Sequence, residues 1–197
     1  MKKTLVLFLV ILGAATLTFS ALAWMQGAGA RVAEHLDQAQ SVANYGFVFS
    51  DQTTRWQEFL PTCNALTSVE LLFSKFERSN GSDWPGNAIV EIRTLSDTVL
   101  AHTFILSPSI VNNDWTRVSY SPTVPISAGV RYRIAVYSDR PNSTDAWIVW
   151  RGALTSTYPC IACLNDVING WPNFDYAFRT YCPGARIYLP LVARQTP

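Results

Sequence analysis

The sequence predicts an all-β domain in which two sheets share one core. Short strand-like runs recur at roughly ten-residue spacing, broken by turn residues. Several of them alternate apolar and polar side chains with period two, as half-buried strands do. No stretch after residue 45 sustains an i, i+3, i+4 apolar pattern long enough for a helix. Composition agrees. Charged residues are 15% of the 197, well under the usual share of about a quarter. Seven Trp, eight Tyr and ten Phe supply bulky apolar surface. That balance suits a large shared core, and it also suits a carbohydrate-binding surface.

Taken in order, Lys2 and Lys3 form a positive start, Thr4 to Phe19 is uncharged and mainly apolar, and Ala21-Leu22-Ala23 places small residues where a signal peptidase reads. Residues 1–23 are therefore expected to be an export signal cleaved after Ala23. The alternative is an uncleaved anchor, because apolar character continues through Trp24 and Met25. Residues 24–44 read as a linker with a helical turn or two near Val32 to Gln40. The domain proper is expected over residues 45–182. Its candidate strands are Tyr45–Phe49, Arg55–Leu60, Ser68–Phe76, Ala88–Arg93, Val99–Leu106, Thr116–Tyr120, Arg131–Ser138, Ala146–Arg151 and Tyr176–Tyr181. Residues 183–197 form a strand or tail: Ile187 to Val192 reads either as one more edge strand, over Arg186–Val192, or as a sorting or anchoring signal.

The faces follow from parity. Val69, Leu71 and Phe73 share one side, Glu70, Leu72 and Ser74 the other; Tyr132, Ile134 and Val136 oppose Arg131 and Arg133. Turn chemistry marks the breaks at Ser79-Asn80-Gly81-Ser82, Trp84-Pro85-Gly86-Asn87, Asn112-Asn113-Asp114, Ser127-Ala128-Gly129 and Arg140-Pro141-Asn142-Ser143. The longest irregular segment is Gly152 to Asp175, a length that needs either a function or a tether.

Charge excludes one partner class. Lys and Arg total 15 against 14 Asp and Glu, and no basic stripe of the kind that binds nucleic acid is present. Four cysteines in an exported chain read as two disulfides with three possible pairings. Cys160-Ile161-Ala162-Cys163 would be half of a zinc site, but it has no second pair, and His35 and His102 are not at ligand spacing.

The order of motifs carries a resemblance. Phe59-Leu60-Pro61-Thr62 precedes Leu66-Thr67-Ser68-Val69-Glu70-Leu71. Ile89-Val90-Glu91-Ile92-Arg93 and Asp97-Thr98-Val99-Leu100-Ala101 follow, then Asp114-Trp115-Thr116-Arg117-Val118 and Pro125 to Val130. Tyr132-Arg133-Ile134-Ala135-Val136 and Asp175-Tyr176-Ala177-Phe178-Arg179-Thr180-Tyr181 close the series. This order, over about Tyr45 to Tyr181, resembles the jelly-roll accessory domains of bacterial extracellular proteins, which are related to galactose-binding-like and carbohydrate-binding modules. The resemblance implies a two-sheet antiparallel jelly-roll sandwich, often with a structural calcium ion, and no catalysis. The four cysteines and the segment around Cys160 depart from the pattern. In such a sandwich the first and last core strands tend to be neighbours. Ser68–Phe76 beside Tyr176–Tyr181 would then bring Cys63 to Cys182 and leave Cys160 to Cys163. The rival joins Cys182 to Cys160 or Cys163.

Candidate chemistry is sparse. His102 is the one histidine within the domain and reads as a half-exposed strand residue rather than a catalytic base. No carboxylate pair suggests a glycosidase. Asp139 and Asp145 flank a polar loop of the kind that can hold calcium, the alternative being solvated turn carboxylates. Trp84 and Trp171, beside Pro85 and Pro172 in predicted loops, are the candidate ligand contacts, since aromatic faces stack on sugar rings. Trp56, Trp115, Trp147 and Trp150 lie in or beside strands, where core packing is the default. The expected function is a non-catalytic, secreted or envelope-associated binding module, with a glycan as the first-guess partner. The alternative is a structural or surface-assembly protein.

Overall fold

The computed structural model describes residues 33–77, 86–141, 146–155, 158–160, 163–167 and 170–184. The expected signal segment, Trp84, Asp145 and the run Arg186–Val192 lie outside them. Eleven strands are found among the described residues: β1 Glu34–Gln40, β2 Tyr45–Phe49, β3 Arg55–Phe59, β4 Ala65–Glu77, β5 Ala88–Thr94, β6 Val99–Ile105, β7 Asp114–Pro125, β8 Tyr132–Ser138, β9 Ala146–Ala153, β10 Asp175–Tyr176 and β11 Phe178–Pro183. They make a two-sheet antiparallel β-sandwich, the fold the sequence predicts. One sheet runs β1-β11-β4-β9-β10, with β2 added to β9 and β7 to β4; the other runs β3-β8-β5-β6.

The thirteen residues of β4 organise the larger sheet. Its length lets one flank serve two partners in succession: Ser68–Leu71 pairs with β11, and Phe73–Glu77 pairs with β9. The opposite flank carries β7. Inward parity holds along these strands, so Val69, Leu71 and Phe73 of β4 meet Val90 and Ile92 of β5, Ile134 and Val136 of β8, and Ile148 and Trp150 of β9 in one buried core.

Two departures from the sequence reading concern β1 and β11. Residues 34–40 are neither linker nor helical turn. They form an edge strand antiparallel to β11, from Glu34 opposite Pro183 to Gln40 opposite Phe178, with a bulge between Leu36 and Gln38. Without it one edge of β11 would lie unpaired, and those backbone groups decide the conformation over a polar sequence of weak propensity. The run Tyr176–Tyr181 is interrupted at Ala177. There the N–H donates to the Arg151 carbonyl at 2.8 Å, and the carbonyl accepts from the Trp150 indole at 2.9 Å. The chain thereby steps from β9 to β4. Gly152 permits the step: a Cβ there would stand 2.3 Å from the Asp175 carbonyl oxygen and 2.4 Å from Phe174.

Cys63 is bonded to Cys182, and Cys160 to Cys163.

Candidate functional site

The segment between β9 and β10 is tethered along much of its length and positions the site. Tyr158 anchors its start: the phenol accepts from the Leu60 N–H at 3.1 Å, and its ring stands edge-on to Phe178. Past the Cys160–Cys163 bond the chain lies along β3 as a further strand would. The Glu58 N–H donates to the Leu164 carbonyl at 2.8 Å, Gln57 bridges Asn165, and the Asp166 N–H donates to the Trp56 carbonyl. Side chains complete the clasp. Asp166 accepts from the Trp56 N–H at 3.0 Å and pairs with the Arg55 guanidinium at 2.8 Å. Buried Asn165 donates to the Phe174 carbonyl. An otherwise open sheet edge is thus closed by the segment that the sequence left irregular.

Beyond the clasp, the Gly170 and Trp171 amides both donate to the Val167 carbonyl, a tight turn that delivers the Trp171 ring to β2. Its centroid lies 5.4 Å from Tyr45, tilted by 32°, and 6.1 Å from Phe47. Tyr45 and Trp171 are each 41% exposed. Phe47 is braced from below by Phe174 at 4.9 Å, and the Arg55 guanidinium sits 5.4 Å from the Phe47 ring. Deeper still, Trp150 stacks on Tyr176 at 4.3 Å. The result is a rigidly backed platform of two half-exposed rings beside a paired cation and carboxylate. Such a surface offers apolar faces for stacking and polar edges for hydrogen bonding.

The sequence singled out Trp171 but not Tyr45, Phe47, Arg55 or Asp166. Tyr45 and Phe47 carry the period-two signal of one strand face. The pairing of Arg55 with Asp166, 111 positions apart, has no local signature.

The other candidate residues are placed as follows. Asp139 is exposed and accepts from both the Asn87 amide N–H and its side-chain Nδ2, each at 2.8 Å, which joins the end of β8 to the start of β5. Asp37, Cys63 and Cys182 converge, but both sulfurs are in the disulfide, and Asp37 accepts from the Thr62 amide at 3.1 Å and the Thr62 hydroxyl at 2.5 Å. Of the four strand tryptophans only Trp150 is in the core. Trp56 lies under the Arg133 guanidinium at 4.4 Å, Trp115 under Arg179 at 3.9 Å, and Trp147 is stacked on Phe76 at 4.2 Å. These three face outward, because Gln57 and Phe59, Thr116 and Val118, and Ile148 and Trp150 take the inward parity of their strands. Next to Trp115, Glu70 gathers Arg117, Arg179 and the Tyr181 hydroxyl. Burial alone would raise its carboxyl, but the hydrogen bonds from Tyr181, Arg179 and Arg117 outweigh it and hold the group below its ordinary value.

A cleft of about 560 Å³ opens near the Cys160 end of the clasp, walled by Leu60, Pro61, Gly129, Pro159 and Cys160. No protein-family model and no curated protein matches this chain.

Proposed function

We propose that the chain is a non-catalytic, exported binding module that takes a carbohydrate on the Tyr45–Trp171 platform. One observation carries this reading: two half-exposed aromatic rings held 5.4 Å apart on a braced strand edge, with the Arg55–Asp166 pair alongside. A sugar presents an apolar ring face to the indole and hydroxyls to the ion pair. The two disulfides and the signal-like residues 1–23 support export. The motif order supports kinship with jelly-roll carbohydrate-binding modules.

The test is a glycan array followed by isothermal titration with the glycan found, comparing the parent chain with Trp171→Ala and Tyr45→Ala. Removing a central aromatic anchor should weaken binding by about tenfold or more, while thermal unfolding changes little. An array without hits, or affinity indifferent to both substitutions, overturns the assignment.

A further inference from the structure

The two disulfides answer different needs. Cys63–Cys182 spans 119 positions and ends on a fully buried Cys182. A crosslink of that reach removes much of the unfolded chain's freedom. Cys160–Cys163 spans only 3, so it removes little. The clasp has other holds as well. Next to Cys163, the Leu164 carbonyl accepts from the Glu58 N–H and the Leu164 N–H donates to the Glu58 carboxylate. Asp166 is held in turn by Trp56 and Arg55. Cys160 and Cys163 are both half-buried. Disulfides that solvent can reach are the ones that thiols open readily.

We propose that Cys160–Cys163 is a thiol–disulfide exchange site, attacked at Cys160 by the thiol of an extended, apolar peptide. The cleft of about 560 Å³ supplies the approach, because Cys160 forms part of its wall and Cys163 does not. Leu60, Pro61, Ala128 and Pro159 make most of the remaining wall, and they suit apolar side chains on either side of an incoming cysteine. Gly129 keeps the cleft open: a Cβ built there would meet nothing within 4 Å.

The chemistry balances without a further reagent. A thiol gives its proton to water, and the thiolate attacks the Cys160 Sγ. A new S–S bond forms, and the Cys160–Cys163 bond breaks with its electron pair on the Cys163 sulfur, which takes up a proton. Cys163 stays within reach, because Leu164 beside it is bonded to β3 through both backbone groups. It can therefore return to Cys160 and release the peptide. Alternatively, a second thiolate attacks the peptide sulfur and Cys160 leaves as a thiolate that is protonated. Two thiols then become one disulfide, and two electrons pass to the protein.

Glutathione buffers of graded reduced-to-oxidised ratio test the site, with alkylation and peptide mapping as the readout. Cys160–Cys163 should open at a ratio where Cys63–Cys182 is still closed. Two end-blocked tripeptides then test the cleft, one with its cysteine between leucines and one with its cysteine between serines. The leucine peptide should exchange at Cys160 about tenfold faster. With each peptide supplied as its disulfide, that preference should persist in Cys163→Ser, which captures the peptide on Cys160. It should vanish in Cys160→Ser. Opening of Cys63–Cys182 first or at the same ratio, equal rates for the two peptides, or a preference that survives in Cys160→Ser would each overturn the proposal.

Discussion

Cys63 and Cys182 are bonded across 119 positions of sequence, tying the turn before β4 to the end of β11. The second bond, Cys160–Cys163, closes a ring over a separation of only 3. In the chain-entropy picture, the long loop gives a ceiling of about 4–5 kcal/mol and the short one far less. Replacing Cys63 and Cys182 with alanine should therefore lower the urea midpoint much more than replacing Cys160 and Cys163. The second double variant should instead speed amide exchange at Trp56 and Glu58, whose N–H groups bond to the clasp. Equal losses of global stability would contradict this account.

Gly152→Ala is expected to be disruptive out of proportion to one methyl group. The added carbon would stand within 3 Å of the Asp175 oxygen, Phe174 and the Tyr176 Cα, two of them backbone atoms that cannot swing away. Overpacking of this kind costs about 1–3 kcal/mol. The strain falls where β10 pairs with β9, next to the braced aromatics, so any ligand affinity should drop along with stability. Calorimetry showing an unchanged melting temperature would refute the close packing described here.

Alkaline pH above the ordinary range of tyrosine ionisation should unfold the domain. Among the described residues, Tyr120, Tyr137, Tyr158, Tyr176 and Tyr181 ionise above their usual range. Burial is the main cause in each; Glu91 adds to it at Tyr137 and Glu70 at Tyr181. Tyr158 is pushed up to about 12 by burial, against the pull of the Leu60 N–H on its oxygen. The folded protein thus holds these protons more tightly than the unfolded chain, whose phenols ionise at 10.0. Stability is full below pH 10 and falls as pH rises through 12. Ultraviolet titration should show these five phenols ionising only as the fold is lost. The same five phenols titrating near 10 in a folded protein would count against it.

Much of the sandwich was legible because burial imposes parity. Val69, Leu71 and Phe73 could be assigned to the core from spacing alone, and so could Ile134 and Val136. The same parity, applied strictly, would have turned Trp56, Trp115 and Trp147 outward. Size and apolarity suggested the core, but a side chain on a strand faces where its register sends it. β1 was not legible, because Glu34 to Gln40 is polar on both faces and owes its conformation to β11. The clasp was illegible for a related reason: Asn165 and Asp166 look like turn residues until β3 supplies the backbone groups they satisfy. Trp171 could be picked out as a loop aromatic, whereas its companions Tyr45 and Arg55 belong to the site only through the fold.

The position of β11 has a consequence for how the protein comes into being. The last described strand is not appended to a finished sheet; it lies between β1 and β4, and both depend on it. Protein chains are made amino terminus first, so β1 waits for its partner until Phe178–Pro183 has been synthesised. Until then Cys63 can meet only Cys160 or Cys163. A nascent chain halted before Phe178 would leave β1 and the Ser68–Leu71 stretch of β4 without that neighbour, and so in a state that still needs chaperoning. For the export proposed above, that delay is useful. The chain stays threadable until β11 arrives, and Cys182 can then lock the finished fold.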